Sequence, residues 1–212
     1  MNNAKPILAI ETSGKICGAC LYFNEEKYFE QKITLKHSHS DKIFEVVESV
    51  LRTGNTELNE IDAIAVSAGP GSFTGLRIGM SAAKGIALGS GLPLIPVPTF
   101  ESLAFQIAAI LPENTEFAVA NKVNSEELYF ARFQVSLNSY IFVHDLSVIK
   151  KEELPELTNN ILIFGDAGKK DISVPSPEAT AKWSVKFGKD LLTYDYDFLE
   201  PNYIKNFIVK GK

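Results

Sequence analysis

The sequence predicts an α/β fold made of two similar halves, and three observations support this. The chain has 212 residues, 45% of them hydrophobic, which is enough for one large domain or two small ones. Short apolar runs typical of strands alternate with longer runs of helical period. The same order of elements begins again near residue 116. We therefore expect each half to contain a mixed sheet covered by helices.

Three predicted strands open the chain. Residues 7–13 form an apolar run that ends in polar residues, which is typical of a buried strand whose carboxyl end reaches a surface. Residues 16–23 and 27–34 follow after short turns. Segments this close together predict an antiparallel meander.

A helix is predicted at residues 40–53, because apolar residues recur there at helical spacing. Ser40 or Asp41 is suited to cap its start, and Gly54 to end it. The apolar stripe consists of Ile43, Phe44, Val47, Val50 and Leu51.

Strands and helices then alternate. Apolar strands are predicted at residues 61–67 and 92–97, with a helix rich in glycine and alanine at 74–89 between them. Thr99 is expected to cap a third helix over residues 99–111. A strand meander that leads into β-α-β crossovers is the arrangement of the ribonuclease H-like fold.

The second half repeats this order with less helix. A strand at residues 116–121 precedes a predicted hairpin at 127–135 and 139–145. A short helical segment at 152–157 and a strand at 161–164 follow. Ser176, at a cap position before Pro177, then opens a last helix.

We predict two tandem ribonuclease H-like subdomains, at residues 1–100 and 101–212, the second of them degenerate. This is the architecture of the actin-like ATPases (the ASKHA class), which also includes Hsp70-like proteins and sugar kinases.

The stretch from Ala68 to Gly79 reads Ala-Gly-Pro-Gly-Ser-Phe-Thr-Gly-Leu-Arg-Ile-Gly and joins a strand to a helix. A glycine loop at a helix start is suited either to bind an anion or to let two segments approach closely. Ser72 or Thr74 is suited to cap the helix that follows. It is not a Walker A loop, because no lysine follows until Lys84. It is not a dinucleotide-binding fingerprint either, because Thr74 occupies the position of the third glycine.

An actin-like nucleotide cleft needs phosphate-binding turns from both halves and an acidic metal ligand. Glu11, Thr12 and Ser13 stand where the first turn is expected, and we expect them to keep at most residual contact with a nucleotide or anion. The second half has Asn121 at the corresponding place, and an amide is a poor replacement for a Mg²⁺-binding carboxylate. After Gly91 only four glycines follow. The cleft is therefore predicted to be incomplete.

Small residues recur every four positions along the glycine-rich helix. Gly75, Gly79, Ala83 and Ala87 form a smooth ridge. Glycine destabilises a helix by about 1 kcal/mol relative to alanine, so the ridge needs a compensating close contact. That contact is equally well explained by packing within the chain or by a partner protein.

Composition and single residues exclude several functions. The net charge of −5 argues against a dominant nucleic-acid-binding surface. No apolar run approaches the roughly 20 residues that a bilayer-spanning helix requires. We therefore expect no association with a membrane and a location in the cytoplasm. Cys17 and Cys20 are predicted to be reduced core residues, because a zinc site would need a second pair. His37 and His39 suggest no metal site, since no third ligand is apparent.

The chain resembles the TsaB (YeaZ) family. The resemblance rests on Ile-Leu-Ala-Ile-Glu-Thr-Ser at residues 7–13, on His39-Ser40, on the stretch from Gly69 to Gly79, and on the late Glu-Pro-Asn-Tyr-Ile-Lys at 200–205. The glycine stretch is highly specific to that family. The family normally has Asp-Ala-Arg near Asn121, so this chain is a divergent member.

The resemblance implies a non-catalytic subunit of the bacterial machinery that makes N6-threonylcarbamoyladenosine in tRNAs reading codons that begin with A. It implies pairing with the catalytic subunit TsaD, support for binding of the ATPase TsaE, and a homodimer when alone. It also implies contact with tRNA only through the complex, and ATP used by the complex rather than bound tightly by this chain. The implied partner interface comprises Ile43, Phe44, Val47, Gly71, Ser72, Phe73, Thr74, Gly75, Arg77, Gly79 and Ala83.

Two enzymatic alternatives compete with this interpretation. The first is an actin-like ATPase or small-molecule kinase. The second, more remote, is a glycoprotease-like peptidase with Ser72 or Thr74 as nucleophile, for which no catalytic base is placed by the sequence. The basic tail with Lys205, Lys210 and Lys212 is expected to be solvated.

Overall fold

The computed structural model describes residues 5–34, 39–159 and 161–204. The described residues form two compact units, the first from residues 5–106 and 174–201, and the second from residues 107–173 and 202–204. The segment 174–201, which contains the last helix, thus belongs to the first unit, whereas the sequence pattern groups it with residues 101–212.

The order of elements follows the prediction closely. The strands are β1 (Ile7–Glu11), β2 (Ile16–Asn24), β3 (Lys27–Thr34), β4 (Ala63–Gly69), β5 (Leu94–Pro98), β6 (Glu116–Lys122), β7 (Glu127–Ser136), β8 (Ser139–Lys150) and β9 (Leu162–Phe164). The α-helices are α1 (His39–Gly54), α2 (Phe73–Ser90), α3 (Thr99–Ala108), α4 (Leu154–Thr158) and α5 (Pro177–Phe187).

The first sheet has the strand order β3-β2-β1-β4-β5. β1 pairs antiparallel with β2 and parallel with β4, and β2 pairs antiparallel with β3. The second sheet, β8-β7-β6-β9, repeats this order without a fifth strand. The two tandem ribonuclease H-like halves are therefore confirmed, and the second is the reduced one. No helix within the described ranges is both long and apolar enough to cross a membrane.

Two of the predicted helix starts are confirmed. The Ser72 hydroxyl accepts a hydrogen bond from the Gly75 N–H at 3.2 Å, and the Ser176 hydroxyl accepts one from the Ala179 N–H at 3.0 Å. α3 differs from its prediction. It ends three residues early, at Ala108, and the Thr99 hydroxyl accepts a hydrogen bond from the Gly69 N–H at 3.1 Å, a residue outside the helix.

Helices pack on both faces of the first sheet. Neighbouring side chains of a strand point to opposite faces. Leu8 belongs to the apolar core that also contains residues of α1 and α2, whereas Glu11 contacts α5. α5 is tied to the β2–β3 hairpin by the Lys182 ammonium, which lies 2.6 Å from Glu25 and 2.8 Å from its helical neighbour Glu178.

The two cysteines are reduced and buried, as predicted. Burial raises the pKa of the Cys17 thiol to about 11, so this side chain is uncharged near neutral pH. Burial raises the pKa of the Cys20 thiol as well. Both residues therefore act as small apolar side chains of the first sheet.

Candidate functional site

The glycine loop closes directly onto the end of strand β1. The Ser72 N–H donates a hydrogen bond to the Ser13 carbonyl at 2.6 Å. The Thr12 hydroxyl donates to the Gly75 carbonyl at 2.8 Å. Two hydrogen bonds therefore hold the first turn of α2 and the preceding Ser72 against residues 12–13, one to the Ser13 backbone and one from the Thr12 side chain.

This close approach explains three of the glycines. A Cβ atom on Gly75 would lie 2.0 Å from the Thr12 carbonyl oxygen, and one on Gly71 would lie 2.5 Å from the Ser13 carbonyl oxygen. On Gly79 it would lie 2.1 Å from the Thr12 hydroxyl oxygen. No side chain fits at such distances, so the loop needs glycine in order to pack against β1.

The small-residue ridge consequently packs within the chain. Gly75, Gly79 and Ala83 are buried in the first unit, and so are Ile43 and Val47 of helix α1. Their burial does not agree with their assignment to a partner interface, because buried side chains have almost no surface to offer a partner.

The other predicted interface residues do reach the surface. Phe44 on α1 is 58% exposed, and Phe73 at the start of α2 is 37% exposed. The Arg77 guanidinium lies 4.0 Å above the centre of the Phe73 ring, a favourable cation–π contact. Ser72 and Thr74 are exposed, and Gly71 is half-buried.

Sequence reasoning did not single out the continuation of this surface along α2. Together with Phe73, Thr74 and Arg77, the exposed residues Ser81, Gly85 and Leu88 follow at helical spacing. We call these six residues the outer face of α2. A Cβ on Gly85 would meet no atom within 4 Å, so packing within the described chain does not require glycine there. The signal in the sequence was this second stripe, which is offset by two residues from the ridge and therefore lies on the opposite side of the helix.

A buried carboxyl group lies beneath the glycine loop. Glu11 has no exposed surface. One of its oxygens accepts hydrogen bonds from the Ser13 N–H at 2.6 Å and from the Ser13 hydroxyl at 2.5 Å. The other contacts the hydroxyls of Ser67 on β4 and Thr180 on α5, the latter at 3.2 Å. Neither Ser67 nor Thr180 was singled out by the sequence, although Ser67 is a polar residue at the end of an apolar run.

Burial raises the pKa of Glu11, and hydrogen bonds from Ser13, Ser67 and Thr180 oppose this shift only in part. All groups of the described residues that shift this pKa are uncharged: three hydroxyls and one backbone N–H. These surroundings therefore shift the Glu11 carboxyl group towards its protonated form.

We expect the substitution Glu11→Gln to flatten the pH dependence of stability. Because the pKa in the folded state lies above its ordinary value of 4.5, the stability from the neutral carboxyl is complete below that pH. This stabilising contribution is lost as the pH rises towards the raised pKa, and the free energy of unfolding then falls by up to about 1.4 kcal/mol per pH unit. Urea unfolding of both proteins at pH 5, 6, 7 and 8 checks this. Equal slopes would contradict it.

The expected nucleotide contact of Glu11, Thr12 and Ser13 does not agree with this geometry. All three residues are buried in the first unit. Their side chains are hydrogen-bonded to the chain itself, and α2 covers their backbone. The place of a first phosphate-binding turn is thus filled by the glycine loop.

The second half uses Asn121 for structure. Its side-chain N–H donates to the Ser173 carbonyl at 2.9 Å, and its side-chain oxygen accepts from the Asp166 N–H at 2.9 Å. An aspartate would lack the first donor. Among the described residues, no group of three or more His, Cys, Asp or Glu side chains is arranged to hold a metal ion.

Nothing in the described chain favours the peptidase alternative. The Ser72 hydroxyl serves as the cap of α2. The ring of His144 lies near Phe130 in the second unit, and its Nδ1 is 2.8 Å from the Asp145 carbonyl. His37, the His39 side chain and the basic tail lie outside the described residues.

Comparisons with known proteins agree with this architecture. The sequence model for tRNA N6-adenosine threonylcarbamoyltransferase, TsaD, matches residues 32–163. The tRNA threonylcarbamoyladenosine biosynthesis protein TsaB of Escherichia coli is 28% identical over 94% of both chains. TsaB of Haemophilus influenzae is 32% identical over 59% of this chain, a match that spans about half (52%) of that protein.

The fold has a solved counterpart. The structure of YeaZ from Pseudomonas aeruginosa superimposes with a TM-score of 0.78 over 94% of this chain and 100% of that chain, at 18% identity. The glycine loop, the sheet order and these sequence matches lead to one conclusion. The chain belongs to the TsaB (YeaZ) family of tRNA threonylcarbamoyladenosine biosynthesis proteins.

Proposed function

We propose that this protein is a non-catalytic adaptor that acts by pairing with a TsaD-like catalytic subunit during threonylcarbamoyl transfer to tRNA. In this proposal it also supports binding of a TsaE-like ATPase, forms a homodimer when alone, and meets tRNA only through the complex in the cytoplasm. The complex uses ATP, but this chain binds no nucleotide tightly.

One observation carries the non-catalytic part of the proposal. The turn after β1, where actin-like enzymes bind phosphate, is buried beneath the first turn of α2, and its polar groups are hydrogen-bonded within the chain. An enzyme that bound a nucleotide there would have to break these contacts, each of which contributes about 1 kcal/mol.

The outer face of α2 and Phe44 supply the proposed partner surface. Exposed aromatic and arginine side chains are the residue types that most often dominate protein–protein binding energies. Gly85 has no side chain and Ser81 has a small one, so a partner helix can approach the backbone of α2 closely at these positions. Phe73 with Arg77 above it forms the polar and aromatic end of this face.

The test is co-expression with the TsaD-like subunit of the same organism. We expect Phe44→Asp and Arg77→Glu each to weaken pairing at least tenfold, since each introduces a charge that the partner must desolvate or repel. Leu137→Asp is the matched control, because Leu137 is 86% exposed but lies on the β7–β8 turn of the second unit. Pairing is measured by calorimetry and tRNA modification by mass spectrometry.

Two results would overturn the proposal. One is that wild-type chain makes no difference to tRNA modification by the catalytic subunit. The other is that the isolated chain binds Mg-ATP tightly and hydrolyses it, which would favour the ATPase or kinase alternative. If only the location of the interface is wrong, Phe44→Asp and Arg77→Glu will pair like the Leu137→Asp control.

A further inference from the structure

We propose that Glu11 is a positioning residue for the partner surface, because its carboxyl group joins strand β4 and helix α5 to the Thr12–Ser13 turn that holds the start of α2. This inference rests on the proposed function, since the surface that it positions is the outer face of α2. Glu11 itself has no exposed surface and cannot touch a partner.

The link runs through hydrogen bonds from the interior to the surface. Glu11 fixes the turn through the backbone N–H and hydroxyl of Ser13. The carbonyl of Ser13 then accepts the hydrogen bond of the Ser72 N–H at 2.6 Å. Ser72 caps α2 and immediately precedes Phe73. Two steps therefore connect the buried carboxyl group to the first residue of the outer face.

The other carboxyl oxygen of Glu11 contacts residues that are distant in sequence. Ser67 stands near the end of β4, and Thr180 lies on α5, 169 residues away in sequence from Glu11. The Thr180 hydroxyl has a second acceptor, the Ser176 carbonyl, at 3.2 Å. Its single proton serves one of them at a time. A protonated Glu11 resolves this conflict by donating its own proton to the Thr180 oxygen, which leaves the Thr180 proton for the Ser176 carbonyl.

The geometry thus accounts for an acidic residue in a wholly buried site with no cation among its hydrogen-bond partners. A carboxyl group in its protonated form offers one donor and keeps acceptor capacity for both groups of Ser13. Alanine would leave the Ser13 N–H and three hydroxyls to find other partners, whereas glutamine keeps a neutral, planar group of the same size.

The experiment compares Glu11→Ala and Glu11→Gln with wild type in two measurements at 25 °C, after circular dichroism has verified that each protein is folded. The first is affinity for the TsaD-like subunit by calorimetry. The second is amide hydrogen exchange of Ser72 and Gly75 in the isolated chain by NMR. A residue that contributed only to global stability would lower the melting temperature without changing the affinity of the folded protein or these local rates.

We expect Glu11→Ala to weaken partner binding about tenfold and to speed exchange at Ser72 by a similar factor, while Glu11→Gln stays within about threefold of wild type. Ser67→Ala and Ser102→Ala form a matched pair that keeps the test decisive if Glu11→Ala does not fold. Both serines are buried, but the Ser102 hydroxyl has no hydrogen-bond partner among the described residues. Ser67→Ala is expected to weaken binding about threefold and Ser102→Ala not at all.

Folded Glu11→Ala or Ser67→Ala protein with wild-type affinity and wild-type exchange at Ser72 would overturn the inference. Failure of the proposed function looks different. In that case the wild-type chain itself does not bind the TsaD-like subunit, and the exchange measurement on the isolated chain still decides whether Glu11 holds the start of α2.

Discussion

Replacing Gly75 by alanine is expected to destabilise the protein by about 3 kcal/mol, whereas the same change at Gly85, on the same helix, is expected to stabilise it by up to about 1 kcal/mol. At Gly75 the added methyl group would lie 2.0 Å from the Thr12 carbonyl oxygen, so α2 would have to move away from β1. At Gly85 the methyl group meets nothing within 4 Å, and only the gain in helix propensity remains.

Chemical unfolding of the two variants and wild type at pH 7 measures both effects. Both variants carry the same substitution in the same helix, so the intrinsic change in helix propensity is the same. A difference in the sign of their stability changes therefore reports only the space around each glycine. A Gly75→Ala protein as stable as wild type would show that α2 does not rest on the Thr12–Ser13 backbone as described. A strongly destabilised Gly85→Ala protein would mean that the outer face of α2 is covered within the chain.

The second large effect is expected for Asn121→Asp, which restores the acidic residue that an actin-like metal site would need. We expect a loss of about 3 kcal/mol at pH 7, because the Ser173 carbonyl loses its donor and faces a buried carboxylate. Burial would raise the pKa of the new carboxyl group. The variant should therefore regain stability as the pH falls and its carboxyl group takes up a proton, which can be donated to Ser173.

Urea unfolding at pH 5 and pH 7 tests this, with Asn138→Asp as the control. Asn138 is exposed at the β7–β8 turn, where its positive φ of 54° is tolerated by aspartate as well. We also expect Asn121→Asp to gain no measurable Mg-ATP binding. A stable Asn121→Asp protein that binds Mg-ATP would mean that the second half retains a working metal site.

Local sequence signals predicted most of the secondary structure. Strand meanders, apolar runs and caps are properties of neighbouring residues. The sequence therefore predicts β3 at its observed bounds, Ser176 as a cap, and Ser72 as one of two candidate caps of α2. Errors lie at element ends. Threonine is a residue type that often caps helices, but the Thr99 hydroxyl accepts a hydrogen bond from the Gly69 N–H, thirty residues away in sequence. A local sequence pattern cannot predict such a contact.

The candidate site was predictable only in part. The composition of the loop indicated close backbone approach, but two partners were compatible with it, the protein itself or another chain. Phe44 and Arg77 reach the surface as predicted, while Gly79 and Ala83, on the same helix as Arg77, do not. A helical period identifies stripes of residues and does not say which stripe meets the sheet.

The sequence by itself determined the order of elements, the repeated halves, the reduced cysteines and the family, because each of these depends on short-range patterns or on a motif. Only the tertiary structure decided that the small-residue ridge belongs to the interior, that Glu11 is buried, and that α5 joins the first unit. These outcomes depend on contacts between residues that are far apart in sequence, such as Glu11 and Thr180, which are 169 residues apart. Such contacts form when the packed elements meet, and spacing along the chain does not encode them.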